Sequence, residues 1–125
     1  MAGESILIVD DNMVNVELAE YALEIAGYTV RTAGDAAEAQ EVLECFRPAL
    51  ILMDVQLPGM SGLELTRLIK ADSHLHDIIV VALTSYAMRG DEQKALDSGC
   101  DGYLTKPIET RSFAGSIAGY LRGES

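Results

Sequence analysis

Basic residues are scarce in this chain: nine Lys and Arg stand against twenty Asp and Glu in 125 residues, a formal net charge of −11. Nucleic acid and anionic membrane surfaces both need a Lys/Arg footprint, so neither is expected as a direct partner. A hard cation or a basic protein suits the balance better, and much of the charge is expected simply to keep the surface solvated. Cysteine is limited to Cys45 and Cys100, whose separation matches no CxxC or zinc-ligand spacing; they read as reduced thiols of a cytoplasmic protein. No stretch approaches the roughly 18 apolar residues of a membrane span, and Met1-Ala2-Gly3-Glu4-Ser5 carries no basic region backed by a long apolar one. A soluble, untargeted chain is expected. Prolines number only three, and no repeat, linker or low-complexity tract interrupts the sequence. One domain over residues 1–125 follows.

What the chain does contain is 49% hydrophobic residue, arranged in short runs. Ile6-Leu7-Ile8-Val9, Ala49-Leu50-Ile51-Leu52-Met53 and Ile78-Ile79-Val80-Val81-Ala82-Leu83 are continuous and apolar, the pattern of parallel strands buried on both faces. Tyr28-Thr29-Val30-Arg31-Thr32 alternates, and Gly102-Tyr103-Leu104-Thr105 is short; both suit sheet edges. Helical periods fill the intervals. Val14, Leu18, Ala22 and Ile25 mark the first helix, stopped by Gly27. Asp35 with Glu38 opens a second, through Ala39, Val42, Leu43 and Phe46, and Ser61 with Glu64 a third with Leu65, Leu68 and Ile69 inward. A weaker fourth runs from Ala87 to Asp97 and closes at Gly99; a fifth starts near Thr110 and buries Phe113, Ile117 and Leu121. Five strands alternating with five helices predict an α/β fold, a doubly wound parallel sheet in the flavodoxin-like order 2-1-3-4-5.

In such a sheet the carboxyl ends of the strands share one rim, where ligands collect. There the first strand delivers Asp10 and Asp11, the third Asp54, the fourth Thr84 and the fifth Lys106. Taken singly, each has a plain structural reading: a helix cap or first-turn acid for the aspartates, a β-former for Thr84, a solvated charge for Lys106. Together they form the inventory of one site. Crowded carboxylates with no His or Cys beside them select Mg2+, or Mn2+, over zinc. A carboxylate can also act as nucleophile to give an aspartyl phosphate, with a lysine ammonium and a threonine hydroxyl meeting the phosphoryl oxygens.

Asp10-Asp11, Met53-Asp54 followed by Leu57-Pro58-Gly59-Met60-Ser61-Gly62, Ala82-Leu83-Thr84 and Tyr103-Leu104-Thr105-Lys106-Pro107 stand in the order and spacing of a known family. The sequence resembles a response-regulator receiver domain of two-component signalling, of the CheY-like, stand-alone type, over essentially residues 5–122. The resemblance implies that Asp54 accepts the phosphoryl group. Asp11, Asp54 and the backbone carbonyl of Gln56 would bind Mg2+ directly and Asp10 largely through water. Thr84 and Lys106 would contact the phosphoryl group, and Tyr103 would be the switch aromatic. The stretch from Tyr86 to Asp91 resembles stand-alone receivers and those of hybrid kinases, and Tyr86 is expected to shield the phosphoryl group from water.

A phosphorylation-controlled switch is therefore expected, fed by a histidine kinase or histidine phosphotransfer protein. It would change an output face of fourth helix, fifth strand and fifth helix to bind a target or relay phosphate, as a monomer or a phosphorylation-dependent dimer. It would catalyse only its own phosphorylation and autodephosphorylation. Two alternatives stand beside it: a receiver cut from a hybrid histidine kinase, and a Mg2+-dependent aspartyl phosphatase. The phosphatase is disfavoured because Gln56 occupies the place of its general acid.

Overall fold

A computed structural model describes residues 4–84, 91–105 and 110–122. The elements are β1 (Ser5–Val9), α1 (Met13–Ile25), β2 (Thr29–Ala33), α2 (Ala36–Cys45), β3 (Leu50–Asp54), α3 (Gly62–Ala71), β4 (Ile79–Thr84), α4 (Asp91–Asp97), β5 (Gly102–Thr105) and α5 (Thr110–Leu121). All four strand pairings are parallel, in the order β2-β1-β3-β4-β5. That is the doubly wound fold which the strand and helix pattern predicts.

Strand alternation divides the core in two. Leu7, Val9, Ile51, Met53, Val80 and Ala82 face the layer of α2, α3 and Ala95 of α4. Ile6, Ile8, Leu50, Leu52, Val81 and Leu83 face α1 and α5. Every residue of β3 is buried, as a central parallel strand requires, and β2 shows the half-exposed pattern of an edge.

The helix ends follow their sequence signals. Asp35 Oδ1 accepts from the Glu38 amide at 2.8 Å, and Ser61 Oγ from the Glu64 amide at 3.2 Å. Gly27 and Gly99 take positive φ after α1 and α4, where a side chain would be strained. The cap of α1 is Asn12, whose Oδ1 accepts from the amides of Val14 and Asn15. Capping therefore does not occupy Asp10 or Asp11. At the opposite edge of the sheet, Lys70 Nζ donates to Ile78 O and Asp101 Oδ2, both at 2.8 Å, tying the end of α3 to the starts of β4 and β5.

Two helix faces differ from expectation. In α1 the buried side is Val16, Ala19, Ala22 and Leu23; of the residues whose spacing marks the helix only Ala22 is inside, while Val14 (66%), Leu18 (40%) and Ile25 (68%) are exposed. Small Ala19 and Ala22 let the helix lie close on the sheet, a preference that hydropathy does not register. In α3 Leu68 is half exposed and Thr66 is buried instead; its hydroxyl donates to Gly62 O at 2.8 Å, satisfying the polar group locally.

Gly62 fixes how α3 meets β3. Its amide donates to Val55 O at 3.1 Å, and a Cβ there would overlap the carbonyl oxygen of Asp54 and lie 3.0 Å from Met53 Cγ. The obstacle is backbone and cannot rotate away, so Gly62→Ala is expected to cost about 3 kcal/mol in urea unfolding. Gly115→Ala on α5, where an added Cβ meets nothing within 4 Å, is expected to be neutral or to stabilise by up to about 1 kcal/mol. Equal effects of the two changes would contradict this packing.

Candidate functional site at the strand-end rim

Register brings the rim together. Val9 pairs laterally with Met53, so the residues one step on, Asp10 and Asp54, lie side by side and point to the same face of the sheet. Both are only 2% exposed. Asp10 Oδ1 accepts from the Asn12 amide at 2.9 Å and Asp54 Oδ1 from the Gln56 amide at 3.1 Å. These short turns hold each carboxylate in place. Asp11 follows in the loop and is exposed. One carboxylate oxygen from each of the three lies within 4.8 Å of the others.

That spacing suits a small divalent cation. Octahedral Mg2+ at about 2.1 Å from its ligands places them about 3 to 4.2 Å apart, and it prefers oxygen donors with several waters retained. The three carboxylates supply hard oxygens and a negative field, with no soft ligand among them.

Thr84 ends β4 and is nearly buried. It lies two residues beyond Ala82, which pairs laterally with Tyr103, so Thr84 and Tyr103 share the sheet face opposite to Asp54. They line one cavity of about 240 Å³ together with Gln56, Ser61, Lys94 and Ala95. Gln56 is exposed and Tyr103 half buried. The Tyr103 backbone carbonyl accepts from the Tyr120 hydroxyl at 3.3 Å. A larger groove of about 390 Å³ lies between α2 and α3, lined by Leu43, Leu65, Leu68 and Leu75; it contains none of the rim residues. The structure thus brings Asp10, Asp11 and Asp54 together, with Thr84, Gln56 and Tyr103 around the adjoining cavity. Lys106 and Tyr86 lie outside the described residues, as does Pro107.

The sequence model of the response regulator receiver domain matches residues 6–118. The chain belongs to that family. This receiver is 44% identical over 119 residues to the polar-differentiation response regulator DivK of Brucella anthropi, covering 94% of the chain and 96% of that protein. Among solved structures it resembles the chemotaxis response regulator CheY4 of Vibrio cholerae, with a TM-score of 0.88 at 26% identity, over 94% of this chain and 98% of that one. It also resembles the receiver domain of the sensor histidine kinase PA1611 of Pseudomonas aeruginosa PAO1, with a TM-score of 0.86 at 35% identity, over 98% of this chain and all of that one. That neighbour carries a magnesium ion coordinated in its active-site cleft. The receiver is accordingly a component of two-component signalling, and no helix among its described residues is long and apolar enough to cross a membrane.

Three features of the receiver were missed in the sequence. Gly62 stood only as part of a motif, because its role depends on which backbone it meets. Lys94 lies within the weaker fourth helix and drew no reading of its own. The exposed face of α1 (Met13, Val14, Leu18, Tyr21 and Ile25) was hidden because the helix is apolar on both sides. The competing spacing of Val16, Ala19 and Leu23 was the available signal.

Proposed function

We propose that the chain is one receiver domain with its core in residues 5–122, working as a stand-alone phosphorylation switch in which Asp54 is the phosphoacceptor. The observation that carries this is the convergence of Asp10, Asp11 and Asp54 oxygens beside the cavity lined by Thr84. A carboxylate oxygen of Asp54 attacks the phosphorus of a phosphohistidine; the P–N bond breaks and the imidazole nitrogen takes up a proton. Attack of water on the acyl phosphate later releases inorganic phosphate and restores the carboxylate. No other substrate is turned over in this reading.

Asp11, Asp54 and the Gln56 backbone carbonyl are proposed to hold Mg2+ directly, with Asp10 acting through water. The bound cation would supply neutralisation of the phosphoryl oxygens. Thr84 donates its hydroxyl to one of those oxygens. Lys106, whose role rests on sequence alone, is assigned to another. Movement of Thr84 toward the phosphoryl group leaves room for Tyr103 on the same face and alters the surface of α4, β5 and α5. The shared cavity of Thr84 and Tyr103 supports that coupling.

The phosphodonor is proposed to be a histidine kinase or histidine phosphotransfer protein that docks on α1. Five of the seven large hydrophobic side chains exposed among the described residues lie on this helix. The helix starts two residues after Asp11. An apolar patch of this kind marks a protein contact, and a donor seated there reaches the rim.

Incubation with Mg2+ and phosphoramidate is expected to add one phosphate, read by intact mass, that is absent in Asp54→Asn and abolished by chelation. A wild-type chain that never gains it would contradict the proposal. Combining Leu18→Lys with Tyr21→Lys is expected to lower kcat/KM at least about tenfold for transfer from a histidine kinase that labels wild type. An unchanged value would remove α1 from the docking surface.

A further inference from the structure

Lys94 lies in the middle of α4, and its side chain lines the same cavity as Thr84, Gln56 and Tyr103. Packing does not explain why a lysine stands there. The contact of α4 with the sheet is made by the next residue, Ala95, which is buried, while Lys94 itself is exposed. Its backbone carbonyl accepts from the Ser98 hydroxyl at 2.9 Å, an internal helix contact that does not involve the ammonium. Among the described residues the ion pairs are Lys70 with Asp101 and His76 with Asp77; Lys94 enters neither. In a chain of net charge −11, Lys94 is a cation that lines a cavity and has no carboxylate partner among the described residues. The same cavity is lined by Val55 and Gln56, the two residues that follow Asp54 in the chain.

We propose that Lys94 is a second phosphoryl-sensing cation: when Asp54 is phosphorylated, its ammonium moves through this cavity toward the phosphoryl oxygens and draws α4 with it. This deepens the switch reading above and rests on it. An aspartyl phosphate adds about one negative charge to that of the carboxylate it replaces and presents three acceptor oxygens. The lysine stem is flexible and carries a point charge that can follow such a change. Its place on α4 is what distinguishes it from Lys106. A pull on Lys106 acts where β5 ends, whereas a pull on Lys94 acts on the helix that borders the proposed output surface. Thr84 senses the phosphoryl group by a short hydrogen bond. Lys94 senses its charge from farther off, so its part is sensitive to salt.

The probe is beryllofluoride, which mimics a phosphoryl group on a carboxylate, added with Mg2+ to wild type, Lys94→Met and Lys94→Arg. The readouts are its dissociation constant at low and high salt, and hydrogen exchange of residues 93–98. Lys94 is exposed, so all three chains are expected to fold alike. At low salt, Lys94→Met is expected to bind about three- to tenfold more weakly and to lose the ligand-induced protection of α4. Lys94→Arg restores both, and the difference shrinks at high salt. Equal affinity and equal protection in wild type and Lys94→Met would overturn the role of Lys94 while leaving the switch reading intact. A wild-type chain that binds no beryllofluoride would overturn both.

Discussion

The structure turns on the crowding of like charges at one rim. Oxygens of Asp10, Asp11 and Asp54 come within 4.8 Å of one another, and two of these side chains are almost wholly buried. Two unit charges about 4 Å apart interact by about 4 kcal/mol at the effective dielectric of a protein surface. That is a large share of the stability of a domain this size. A sheet packed on both faces can bear it, because β3 is buried throughout and β1 from Ile6 to Val9, with their register fixed on either side. Crowding of this kind favours the binding of positive charge and makes the rim responsive to any change in charge.

The same register separates the proposed chemistry from the proposed readout. Asp10 and Asp54 emerge on the α1–α5 side, whereas Thr84 and Tyr103 emerge on the side of α2, α3 and α4. In the proposed switch a phosphoryl group on Asp54 would sit at the boundary, where Gly62 brings α3 against the Asp54 backbone. In that proposal, groups on the second side respond without touching the attacking water. The ion pair at the other edge, Lys70 with Asp101, joins three elements and bears no such tension.

Much of this was legible in the sequence for a definite reason. Continuous apolar runs ending on Asp, Asp and Thr state both the burial of a strand and the position of its end, so sheet order and rim composition follow together. Asp35, Ser61 and Gly99 announced helix ends by local chemistry that the structure keeps. The inward face of α1 was not legible. Its two stripes are both apolar, and the choice falls to close packing of Ala19 and Ala22, which no hydropathy pattern weighs. Leu68 failed in the same way, since Thr66 buries its hydroxyl by a bond to its own helix. Lys94 escaped notice because a cavity is formed by residues from several elements and leaves no local signature.

The central claim is that the rim crowds three carboxylates which a cation binds together, and stability measures it directly. Thermal unfolding at neutral pH should be followed for wild type and Asp54→Asn, each with chelator and with saturating Mg2+. The account predicts that without metal Asp54→Asn is the more stable, by about 1 to 3 kcal/mol. It predicts also that Mg2+ raises the wild-type midpoint well above any effect on the variant. A metal-free wild type as stable as Asp54→Asn, or one indifferent to Mg2+, would contradict it.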